Sequence, residues 1–122
     1  MAKNSEILET EARIQQTIVQ WYRNSFCLVH HFPRCLIFSV PNENQHRLMA
    51  TGLTPGVSDL VVIHRNTATD SPIIAFIEVK SLTGRIRPSQ LQFRHHIESM
   101  GLLYSIVRSL DEFKKIVELW KK

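Results

Sequence analysis

Apolar residues recur along this chain with two different periods. Near the N-terminus, Ile7, Ile14, Ile18 and Tyr22 share one face of a helix over about residues 5–24. Asn4 or Ser5 is placed to cap that helix. Glu11 falls inside the apolar stripe, and Gln15 follows one turn later on nearly the same face. Beyond it the pattern becomes short β-rich runs. CLIFSV (35–40) is one, ended by Pro41. DLVVIH (59–64) and IIAFIEVK (73–80) flank the polar turn RNTATDSP and predict an antiparallel hairpin. Residues 41–56, PNENQHRLMATGLTPG, are rich in turn formers and read as a loop, with room for one helical turn.

A second helix runs from Pro88 to about Met100, with Gly101 as its stop. LLYSIVR (102–108) is a further strand. Ser109 and Glu112 form a capping box that opens a last helix through Trp120. The predicted order is αβββαβα, a mixed sheet flanked by helices in one α/β domain over residues 1–122. IIAFIEVK is apolar on both faces up to Glu78, which predicts a central strand.

With 122 residues, 43% of them hydrophobic, the chain can bury a modest core. No apolar run reaches the ~18 residues of a membrane span. The polar, acidic N-terminus has no signal-peptide core. Cys27 and Cys35 are too few and too irregularly placed for a disulfide framework. Both are expected to be reduced, in a cytoplasmic protein. The net charge of +4 permits a polyanionic partner. Much of it lies between predicted elements, in HRLMATG and TGRIRPSQLQFRHH, where a phosphate backbone could be met. The plainer reading of those residues is a solvated basic surface.

Composition does not account for three charges placed in or beside apolar strands. Phe76, Glu78 and Lys80 share one strand face, and Asp59 shares a face with Val61 and Ile63. If the hairpin turns symmetrically about residues 68 and 69, Asp59 lies opposite Glu78, with side chains roughly 5 Å apart. Two carboxylates that close repel by about 1 kcal/mol in water and by more inside a protein. Lys80 offsets part of that. A hard divalent cation removes the conflict, because it binds one or two carboxylates together with water and phosphate oxygens. Glu11 on the first helix is a candidate for a further carboxylate. The competing reading is an Asp at a strand start and an ordinary exposed acid–base pair.

The blocks ETEARIQQTIVQWY, VPNE, GVSDLVVI, IEVKS, RPSQLQFRHHIESMG and YSIVRSLDEF, in this order, resemble the VRR-NUC family of the PD-(D/E)xK nuclease superfamily. That family includes small stand-alone phage nucleases and the terminal domain of the Fanconi-anaemia-associated nuclease. The resemblance covers roughly residues 6–115. It implies a restriction-endonuclease-like core and a Mg²⁺- or Mn²⁺-dependent endodeoxyribonuclease. It also implies roles: Asp59, Glu78 and the Val79 carbonyl as metal ligands, and Glu11 as a ligand or a partner through water. Lys80 would orient or activate the attacking water. Gln90 would hold the site near the scissile phosphate, with Gln92 as its rival, because Arg87 stands where Ser is common. Ser58 replaces the Pro that usually precedes the motif Asp.

Phosphodiester hydrolysis by this set needs no histidine. His30, His31, His46, His64, His95 and His96 are expected on the surface or in packing, with His95 and His96 as lesser candidates for phosphate contact. A zinc site at His30, His31 and Cys35 lacks the usual ligand spacing. Arg85, Arg87, Arg94 and Arg47 are candidates for DNA backbone contacts. Trp21, Tyr22, Phe93 and Trp120 fall at core spacing. A domain this small has little surface for reading sequence, so structure-selective cleavage is expected. The family's stand-alone members suggest a homodimeric Holliday-junction resolvase acting on four-way DNA. A flap or restriction-like nuclease and a non-catalytic nucleic-acid-binding module are the alternatives. In the last helix, Leu110, Phe113, Ile116, Val117 and Trp120 serve either a dimer interface or the chain's own sheet. A phage-encoded member would act in the host cytoplasm.

Overall fold

The structure, a computed structural model, describes residues 9–28, 35–41, 52, 54–66, 69 and 71–120. Helix α1 spans Glu11–Tyr22 and runs on into a π-helical turn, Arg23–Cys27. Its cap is Thr10, whose Oγ1 accepts from the Arg13 amide at 3.1 Å. The expected caps, Asn4 and Ser5, and Ile7 of the stripe lie outside the described residues. Ile14, Ile18 and Tyr22 are buried as their spacing predicts, but Glu11 is exposed. Glu11 stands in the first turn of α1, one turn before the first buried residue of the stripe, Ile14.

Four strands follow: β1 (Leu36–Ser39), β2 (Leu60–Asn66), β3 (Ser71–Val79) and β4 (Leu103–Val107). They form one sheet in the order β1-β2-β3-β4, antiparallel except for the parallel pair β3/β4. A parallel pair needs a crossover. Helix α2 (Pro88–Ser99) supplies it, and α3 (Leu110–Leu119) closes the chain order. β3 is an interior strand, and the sheet is mixed, as the sequence predicts. Pairs such as Leu60↔Ile77 and His64↔Ile73 carry the hairpin register assumed above. The strands run further into the turn than expected, through Asn66 and from Ser71.

The inner face of the sheet buries Val62, Ile77, Val79 and Val107 against Ile14 and Ile18 of α1 and Phe113 and Val117 of α3. Each such side chain contributes roughly 1.5–3 kcal/mol. The apolar face of α3 is therefore used on the chain's own core, with Leu110 and Ile116 packed at its margin. Ser109 Oγ accepts from the Glu112 amide, but Glu112 Oε1 accepts from the Arg108 amide rather than that of Ser109, so the capping box is only half formed. On the outer face, α2 places Phe93 between Phe76 and Tyr104, with ring centroids 5.8 and 6.2 Å away. Beyond α2's cover, Leu36, Ile63 and Ile74 line up across three strands. Leu36 is 52% and Ile74 38% exposed.

Candidate active site

The site forms where β2 begins and β3 ends. β2 starts at Leu60 and β3 stops at Val79, so Asp59 and Lys80 flank the hairpin's open end. Continuing the Leu60↔Ile77 register by one step sets Asp59 opposite Glu78. The Val79 amide donates to Asp59 Oδ2 at 2.8 Å, fixing that carboxylate across the strand pair. Glu78 is buried to 2% exposure and Lys80 to 5%. Lys80 Nζ stands 3.9 Å from Glu78 Oε2, and its own amide is held by the Val107 carbonyl at 2.9 Å.

Glu78 carries the strongest electrostatic signature of the group. Burial, then the Asp59 charge and contact with its carboxylate, push its pKa up to about 8; Lys80 opposes the shift and Glu11 adds to it. Its Oε1 is buried with no hydrogen-bond partner among the described residues. An isolated buried carboxylate is held charged only at large cost. The donor set therefore fits a hard cation, which would take the orphaned oxygen and neutralise the pair. Among the described residues, however, no three His, Cys, Asp or Glu side chains cluster closely enough to hold a metal ion. Glu11 stands off from the pair. Its Oε2 lies against the loop after Lys80, 3.1 Å from where a Cβ on Gly84 would be.

Gln90 joins the second helix to this pair. Its Nε2 donates to Glu78 Oε2 at 2.9 Å, while its Oε1 accepts from the Arg87 amide at 2.8 Å. One side chain thus caps α2 and fixes a carboxylate. Gln92 is exposed, and no contact between it and the pair is seen.

The sequence matches the VRR-NUC domain family over residues 5–111. The chain belongs to the VRR-NUC family. A solved structure described as a VRR_NUC domain protein is similar in fold, with a TM-score of 0.70 at 17% identity, covering 93% of this chain and 89% of that one. No curated protein matches the sequence. Membership implies a nuclease with DNA as its substrate, and the mixed four-stranded sheet with flanking helices agrees with a restriction-endonuclease-like core.

Other residues of this VRR-NUC domain shape the rim. Gly56, at φ +78°, lets the loop before β2 touch the start of α2; a Cβ there would overlap the Ser89 carbonyl. Ser58 is fully buried, and its Oγ donates to the Leu60 carbonyl at 3.2 Å. A hydroxyl thus ties the turn where the family usually has a proline ring. Arg85 and Arg87 are exposed beside the site. Arg94 is engaged elsewhere, 3.4 Å from Glu98 and over the Tyr104 ring. Arg47 lies outside the described residues.

Sequence reasoning missed Arg108. Its Nη1 donates to the carbonyls of Ser81 at 2.6 Å, Gly84 at 2.8 Å and Leu82 at 3.4 Å. One guanidinium thereby clamps the loop that follows Lys80. The signal available was an Arg at the end of a strand parallel to the carboxylate strand. His64, by contrast, is a packing histidine on the inner face, 4% exposed, with Nδ1 2.9 Å from Tyr22 Oη. His95 and His96 are exposed on α2. His30, His31 and His46 lie outside the described residues.

Proposed function

We propose that the protein is a metal-dependent endodeoxyribonuclease for branched DNA, acting as a homodimeric Holliday-junction resolvase. The Asp59–Glu78 pair carries this reading: two carboxylates in contact, one with an orphaned buried oxygen, next to a buried lysine. Asp59 and Glu78 would hold Mg²⁺ or Mn²⁺, with the Val79 carbonyl beside them and Glu11 acting through water. Such an ion, when bound, polarises the phosphoryl oxygens and lowers the pKa of water.

The chain's own residues supply position and charge. Gln90 and the Val79 amide each fix one carboxylate oxygen, which restricts rotation of the pair. Lys80, rigid by burial, would orient the attacking water or meet charge that develops on the phosphate. Arg85 and Arg87 stand on the adjoining loop, where flanking phosphates would pass. The row of Leu36, Ile63 and Ile74, with both outer members exposed, offers an apolar surface to a second copy, giving two sites for two strands. No helix among the described residues is long and apolar enough to cross a membrane.

A synthetic four-way junction incubated with Mg²⁺ or Mn²⁺ tests the reading. The wild type should cut it, and Asp59→Ala and Lys80→Ala should each lose about 10²–10⁴-fold in rate. A wild type that leaves junctions, flaps and duplex intact, or variants that cut equally well, would overturn the site. Titration calorimetry with Mn²⁺ checks the ligands independently: Asp59→Ala should lose the binding heat. Light scattering reads the oligomeric state, and a monomer at working concentration would remove the resolvase reading.

A further inference from the structure

A groove of about 580 Å³ runs between α1 and the edge strand β1, a size typical of ligand clefts. Gln16, Gln20 and Arg23 lie along it at helical spacing, and all three are exposed. Ser39 and Phe38 form part of the opposite wall, and Phe38 is 40% exposed. No carboxylate is among the described residues lining it. Arg23 Nη2 donates across to the Ile37 carbonyl at 3.4 Å, so its cation is held at the groove.

One end of the groove lies near the backbone of Asp59 and the turn of α1 that carries Glu11. On the strand side, Ser39 pairs with Leu60, and the next amide, that of Val40, donates to the Asp59 carbonyl at 2.9 Å. On the helix side, the lining residue Gln15 lies one turn beyond Glu11. A cleft of this volume has room for a few bases and not for a duplex. Side-chain amides can donate to and accept from base edges. An exposed ring and a cation are the elements by which proteins track single strands.

We propose that the α1–β1 groove binds bases that unpair at the branch point of a branched DNA, next to the scissile position. The proposal rests on the nuclease reading and deepens it by giving those unpaired bases their own place. Base stacking and amide contacts select unpaired bases, and Arg23 takes a phosphate.

Binding of a fluorescein-labelled oligothymidine and of a blunt duplex, measured by anisotropy in EDTA, tests this without any cutting. Arg23→Glu should weaken oligothymidine binding about tenfold, and Gln20→Lys should tighten it about threefold. Blunt-duplex binding should change less than twofold in both. A folding defect cannot produce the tightening. If neither variant shifts single-strand affinity, or if duplex affinity shifts equally, the groove is not a strand site. Failure of the nuclease reading shows separately, as wild-type protein that cuts no junction whatever its oligothymidine affinity.

Discussion

On the inner face of the sheet, His64 is buried between Tyr22 Oη at 2.9 Å and Cys35 Sγ at 3.6 Å, with the rings of Phe26 and Trp120 around it. On the outer face, Glu78 is buried just as deeply, against Asp59, Lys80 and Gln90. Both are polar clusters in a small protein, yet their chemistry differs. The inner one is built from groups that can all be neutral at pH 7, and Tyr22, its phenol pKa raised by burial, shares a hydrogen bond with His64. The outer one sets two acids in contact and leaves Glu78 Oε1 with no hydrogen-bond partner among the described residues. Burial alone marks neither as a site. A satisfied network specifies packing; a half-satisfied, charged one signals a missing partner.

The sharpest way to break that contrast is Glu78→Gln, which keeps the shape and removes the ionisable acid. Cleavage should fall by about 10²-fold or more, while the metal-free protein becomes more stable at pH 8. Folded Glu78 keeps its proton to about pH 8, whereas its ordinary value is 4.5. Below the lower value both states are protonated and no penalty exists. Between the two, the unfolded chain releases a proton that the folded chain retains, so stability falls as pH rises. Melting temperature in EDTA should therefore drop from pH 5 to pH 8 in the wild type, and drop less in Glu78→Gln. Mn²⁺ should flatten the wild-type curve. Equal slopes in the two proteins would show that Glu78 is not the strained group.

Gly56→Ala strikes the contact between the carboxylate loop and α2. The residue would need φ +78° with a Cβ overlapping the Ser89 carbonyl, and backbone cannot yield as a flexible side chain can. Left-handed strain costs about 1–3 kcal/mol, and any shift of Ser89 carries Gln90 away from Glu78. Urea unfolding and junction cleavage should both worsen. On the inner face, Tyr22→Phe removes one hydrogen bond to His64 and should cost about 1 kcal/mol. Cleavage per folded molecule should not change. If it does, the two faces are coupled and the contrast fails.

Much of this was legible in the chain, for physical reasons. Period-two runs and turn formers fix strands and register, and the register alone sets Asp59 opposite Glu78. Glu78 and Lys80 stand out because charge in a central apolar strand is costly. What was not legible depends on tertiary contact. Glu11 has the phase of the core stripe but opens the helix and is exposed, so periodicity misassigns its burial. Arg108 acts through three loop carbonyls distant in sequence, which no local pattern encodes. The apolar face of α3 reads equally as core or interface, and only packing of Phe113 and Val117 decides it.

The smallest expected effect concerns Ser58. Its side chain is wholly buried, and its hydrogen bond to the Leu60 carbonyl spans only two residues. A proline would stiffen this turn through its ring; the hydroxyl does so through a local contact. Ser58→Ala removes that contact without touching the Val79 amide that holds Asp59. Stability should fall by about 1 kcal/mol in urea unfolding, with junction cleavage within about twofold of wild type. The turn would then be a support whose chemistry is exchangeable, and Asp59 would owe its place to β3. A large loss of cleavage with intact stability would instead mean that Ser58 itself sets the aim of Asp59, and the outer cluster would extend one residue further than its charges suggest.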